Sequence, residues 1–134
     1  MKQKAVENYK NGYSCSESVV NAAIEEGLCT KELLSVATAF SGGMSSGCLC
    51  GAVAGAQLVL GYNFGKGNTK SNEETARAKA KEFIDEFKKR RKATCCKVLT
   101  AGLDFGSAER KQNCTKLVEE CAGILENLIG EKVC

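Results

Sequence analysis

Nine cysteines and no histidine set the chemistry open to this chain of 134 residues. The thiols are Cys15, Cys29, Cys48, Cys50, Cys95, Cys96, Cys114, Cys121 and Cys134. Without histidine there is no imidazole base, no His-containing triad, no His metal ligand and no haem held by a proximal histidine. A nucleophilic cysteine would lack its usual base partner, which argues against hydrolysis and acyl transfer. In a secreted mini-protein the cysteines would form a disulfide framework, but their number is odd and no export signal opens the chain. In a reducing compartment such a set points to metal binding or thiol redox chemistry.

The rest of the composition narrows the class. One domain over residues 1–134 is expected, long enough to bury a core unaided. The opening MKQKAVENYK holds no apolar signal core, and no run approaches a membrane span, so we expect a cytoplasmic protein with no membrane insertion. Net charge is +3, from 19 basic and 16 acidic residues, too mild for a nucleic-acid partner. The basic residues gather between Lys79 and Lys92, which reads as a solvated helix face. Glu73, Glu74, Glu119 and Glu120 read as solvated charge as well.

The elements that must position the thiols are helical throughout. Proline is absent, glycines punctuate the chain, and no alternating strand pattern competes. The expected fold is an all-α, single-domain bundle of about five to seven helices. A first helix covers Lys2 to Asn11. A second starts at the capping box of Ser14 and Glu17 and ends at Gly27. A third follows Thr30 and gives way to a loop from Ser41 to Gly47. A Gly/Ala-rich helix runs from Gly51 to a polar hinge over Gly61 to Lys70, whose Gly65-Lys66-Gly67 lacks phosphate-loop spacing. The longest helix is capped by Ser71 and Glu74 and ends near Ala93. Thr94 is the expected cap of a short helix stopped at Gly102, and Asn113 that of the last, which ends at Gly130.

Set on these elements, Cys15, Cys50, Cys95, Cys96 and Cys114 all fall at helix starts. There, free backbone N–H groups and the positive dipole end favour thiolate. We expect Cys15, Cys50, Cys96 and Cys114 to converge into one site at an end of the bundle. Cys121 lies on the apolar stripe of the last helix and reads as core. Cys29 and Cys134 read as peripheral.

The motifs themselves resemble a known family. Gly12-Tyr13-Ser14-Cys15-Ser16-Glu17-Ser18-Val19 resembles the GYNCAQAV-like opening of the C_GCAxxG_C_C family. Cys50-Gly51-Ala52-Val53-Ala54-Gly55-Ala56 is similar to its CGAxxGA centre. Cys96-Lys97-Val98-Leu99 and Cys114-Thr115-Lys116-Leu117-Val118 resemble its third and fourth cysteine segments. The resemblance implies a redox-active protein with four signature cysteines and no settled reaction. Cys48 and Cys95 are additions to the pattern: Cys95 stands as a substitute ligand for Cys96, and Cys48 as a spare ligand or a resolving thiol.

Three functions compete at this stage. The first is an iron–sulfur protein, with Cys15, Cys50, Cys96 and Cys114 as metal ligands, passing electrons to an unidentified redox partner. The second is a metal-free thiol–disulfide oxidoreductase, although the chain lacks both C-x-x-C and a βαβ pattern. The third is a structural zinc site, although paired C-x-x-C knuckles are missing. Whether the protein is itself an enzyme is open. The small residues after Gly51 also suit a homodimer contact.

Overall fold

The computed structural model describes residues 1–66 and 73–130 and shows an all-α protein. Its helices are α1 (Lys2–Lys10), α2 (Cys15–Glu25), α3 (Glu32–Thr38), α4 (Gly51–Phe64), α5 (Glu73–Arg91), α6 (Cys96–Leu99) and α7 (Ala108–Gly130). No strand occurs among the described residues, and Leu49 pairs with Cys95 in a single isolated bridge. The expected Ser71 cap, part of the hinge and Cys134 lie outside the described residues.

Helix α4 is the axis of the bundle. Residues Gly51 to Ala56, with Val59, Leu60 and Phe64, are buried, so the helix is apolar nearly all round. Such a helix is stable only when neighbours cover every side, and α2, α3, α5 and α7 do so. Helix α1 closes the far side against α2 and α7. One core joins Val19, Val53, Phe83, Phe87, Leu117 and Leu125 from these helices.

Several expected boundaries move. Helix α7 starts at Ala108, not Asn113, and at 23 residues it is longer than the 19 of α5. Its first turn is held by the Ser107 hydroxyl, which accepts from the Arg110 N–H at 3.1 Å. The side chain of Asn113 donates instead to the Leu99 carbonyl at 3.0 Å and anchors α6 to α7. Thr94 gives up its expected capping role to Cys95, the N-cap of α6.

Other readings shift with burial. The small residues of α4 face other parts of this chain: a Cβ on Gly55 would stand 2.6 Å from the Ser16 carbonyl oxygen. The Gly/Ala-rich face is thus an intramolecular contact, which removes the ground on which a homodimer is expected. Cys29 is buried in the core rather than peripheral. Glu120 is half-buried and takes the Arg91 guanidinium through two bonds of 2.8 Å each, joining α5 to α7. Glu73, Glu74 and Glu119 are exposed.

Candidate functional site

The site begins at the start of α2. Ser14 caps the helix: its hydroxyl accepts from the Glu17 N–H, and Glu17 accepts from the Ser14 N–H at 2.9 Å. This capping box fixes the first turn, and with it Cys15. The Ser14 hydroxyl is also hydrogen-bonded to that of Ser41 at 2.7 Å, and Ser16 Oγ donates to the Ala37 carbonyl at 2.7 Å. The start of α2 is thereby tied to α3 and to the segment after it.

That segment turns the wrong way round. Gly42, Gly43, Met44 and Ser45 all have φ between 55 and 63°, a left-handed turn that L side chains resist. It leads into the wide turn Gly43–Gly47, and Gly42, Ser45 and Gly47 reach the cavity described below. The backbone N–H groups of Gly42 and Ser16 point at the Cys15 sulfur.

The second and third cysteines of the site, Cys50 and Cys96, are set by a stitch between distant segments. The Cys50 N–H donates to the Thr94 carbonyl at 2.8 Å, and the Cys96 N–H donates to the Cys48 carbonyl. Leu49 and Cys95 face each other between these bonds as a non-hydrogen-bonded antiparallel pair. Alternation along the two segments then separates neighbours: Cys50 and Cys96 line the cavity, whereas Leu49 and Cys95 do not. The Cys95 thiol donates instead to the Gly47 carbonyl at 3.1 Å. Cys48 is exposed and also outside the cavity lining.

Cys114 comes from the second turn of α7, not its first, so its expected helix-start placement fails. It lies one turn beyond Arg110 and accepts a hydrogen bond from the Tyr9 hydroxyl. Tyr9 and Arg110 were not legible as site residues. The i, i+4 relation of Arg110 to Cys114 is visible only once the helix is known to start at Ala108, and nothing local marks Tyr9.

Cys15, Cys50, Cys96 and Cys114, from four different elements, thus line one cavity of about 590 Å³. No Asp or Glu is among the described residues that line it. Cys121 is fully buried near Cys15 and Cys50 but belongs to the core. Among the described residues, no three Cys, Asp or Glu side chains stand close enough to hold a single metal ion.

The electrostatics overturn the expectation of stable thiolates. Burial pushes the Cys50 thiol up to about 12, although the N–H groups of Val53 and Ala52 pull the other way. Burial also raises Cys15 and Cys114, and each feels the neighbouring cysteines as further unfavourable charge. Desolvation of an anion outweighs the helix N-terminus here. The metal-free site therefore holds neutral Cys15, Cys50 and Cys114 thiols at neutral pH, and a bound cationic centre would reverse that balance by displacing their protons.

An all-α bundle that gathers four thiols at one end of its central helix, in a chain without histidine, is a cysteine-centred protein by construction. The chain belongs to the family described as "Putative redox-active protein (C_GCAxxG_C_C)", whose pattern matches residues 13–128. Tyr9 lies before the matched stretch, and the four cavity cysteines lie within it. No curated protein and no solved structure matches the chain. The CGAxxG core has a physical reading in this fold: Gly51 makes room for the Cys15 sulfur, and Gly55 lets the backbone of α2 approach α4. No helix among the described residues is long and apolar enough to cross a membrane.

Proposed function

We propose that this protein binds an iron–sulfur cluster through Cys15, Cys50, Cys96 and Cys114 and uses it to pass electrons. The observation that carries the reading is the enclosure of these four thiols, and no carboxylate, in one cavity. Thiolates are the ligands that iron–sulfur clusters take. The cluster would supply one-electron transfer. The chain supplies the rest. N–H groups of Gly42 and Ser16 face Cys15, and those of Ala52 and Val53 face Cys50, where they would steady sulfur charge. The Tyr9 hydroxyl does the same for Cys114. Burial of Cys50 and Cys96 keeps water from their sulfurs.

The absence of any C-x-x-C knuckle from the chain, with the four thiols drawn from separate elements, favours a cluster over zinc. A tetrahedral zinc draws its sulfurs to about 2.3 Å from one centre, and among the described residues no three donors are grouped for one ion. A cluster spreads its thiolates around a larger body. Thiol–disulfide exchange is disfavoured for a different reason. The best attacking thiol has a pKa near ambient pH, and Cys15, Cys50 and Cys114 are all pushed upward by burial.

Anaerobic purification followed by iron, acid-labile sulfide and zinc analysis tests this reading. Iron and sulfide in near-equal amounts, with a brown absorbance, support it. One zinc per chain supports the structural site instead. A colourless, metal-free protein after attempted reconstitution sinks both metal readings and leaves thiol exchange.

A further inference from the structure

The cavity has two chemically different ends. At depth lie Cys15 and Cys50, served by backbone N–H groups. At the mouth stand Lys97, Phe105 and Arg110. Phe105 is 89% exposed, and the Arg110 guanidinium lies over its ring at 5.1 Å. The Lys97 stem fills the space that a side chain on Gly47 would take. Arg77, Arg90 and Arg91 are each paired with a glutamate, whereas Arg110 has no carboxylate partner among the described residues. Lys97 has none either, and no acidic residue among those described lines the cavity to offset the two charges.

Two cations without counter-ions at the opening of a cavity attract an anion from solution. Stacking on Phe105 holds the guanidinium plane and leaves its donor edge free for bidentate bonding. The cavity volume of about 590 Å³ falls within the range of small-molecule clefts, roughly 300–1,000 Å³. Offsetting the charge of the thiol centre is the competing role for these cations. Arg110 does act on Cys114, so both roles are open to it, and the separate iron and anion readouts of the test below tell them apart. Its place beside the exposed Phe105 puts it where a molecule entering the cavity meets it first.

We propose that the mouth of the cavity binds a small oxyanion or carboxylate, gripped between Arg110 and Lys97 in front of Cys114. The proposal rests on the redox reading for its role and adds the class of molecule that meets the centre. Binding itself does not require the cluster, because both cations belong to the chain.

The test is a titration of the purified chain with phosphate, sulfite and acetate at constant ionic strength, before and after iron reconstitution. The Arg110 side-chain N–H and the Gly47 amide report by NMR. The expected result is saturable binding of at least one probe. Affinity should drop at least about tenfold in Arg110→Gln and in Lys97→Gln. Arg110→Lys should recover part of it, and Lys88→Gln on α5 should bind as wild type. Unsaturable shifts with all three probes, or equal affinity in Arg110→Gln, would overturn the proposal. So would loss of iron from Arg110→Gln without loss of anion, since the cation would then serve the cluster. A chain that binds the anion yet never takes up iron keeps this site and removes the cluster reading.

Discussion

The sulfur of Cys15 occupies the space that a side chain on Gly51 would fill, so the two residues next to each other in the site are complementary in shape. A Cβ there would also come within 2.9 Å of the Phe40 carbonyl oxygen. Neither neighbour can retreat, because Cys15 is fixed by the Ser14 cap and Phe40 by its bond to Ala37. Gly51→Ala should therefore cost about 1–3 kcal/mol through overpacking, measured by urea unfolding. It should also lower the iron bound per chain. Wild-type stability and iron content in this variant would show that the close approach is not needed.

The left-handed turn makes a prediction of opposite sign. Ser45 is exposed at φ 55°, where glycine would sit without strain. Ser45→Gly should stabilise the protein by up to about 1 kcal/mol, read as a rise in melting temperature. A fall would mean that the hydroxyl contributes more than the backbone strain costs.

Cys121 and Cys50 are both buried, yet they should respond differently to substitution. Cys121 is enclosed by core residues of α7 and its neighbours. Its replacement by alanine leaves a small void and should cost about 1–2 kcal/mol with iron content unchanged. Cys50→Ala should instead remove the metal. Iron loss of equal size in both variants would place Cys121 among the ligands.

These contrasts show what the sequence carried and where it stopped. Helix α2 was legible because Ser14 and Glu17 write their capping box locally. The core role of Cys121 followed from its place on an apolar stripe. The start of α7 was missed because Ala108 to Asn113 is polar, with no apolar period and no glutamate three residues beyond Ser107. The roles of Cys95 and Cys96 depend on pairing across more than forty positions of chain, between Leu49 and Cys95. No local pattern records such a bridge. Cys114 was singled out as a helix-start residue, a ground that the structure removes, and it reaches the cavity by its position on α7. The thiol acidities were misjudged because helix dipoles are visible in sequence and desolvation is not.

The cap of α2 carries a pH signature. Glu17 is held below its ordinary value of 4.5 by the Ser14 N–H, by the Thr38 hydroxyl and, more weakly, by the Ser14 hydroxyl. The unfolded chain binds this proton first as acid is added, so the stabilisation is complete above the unfolded value. It disappears as pH falls through the lower folded value. Glu17→Gln should flatten the loss of melting temperature between about pH 5 and pH 3. Because Glu17 is only partly buried, solvent screens its bonds and the effect should be small. Ser14→Ala should cost about 1 kcal/mol at neutral pH. An unchanged acid limb in Glu17→Gln would assign that limb to other carboxylates.

The central claim is that four particular thiols, and not the cysteines as a group, hold the metal centre. Iron and sulfide content should be measured in single serine variants of Cys15, Cys50, Cys96 and Cys114, beside those of Cys48 and Cys95, all reconstituted anaerobically and confirmed folded by circular dichroism. The account predicts that the first four lose the cluster or hold it unstably, while Cys48→Ser and Cys95→Ser retain wild-type iron and sulfide. Full retention in the cavity variants, or loss confined to Cys48 and Cys95, would contradict it.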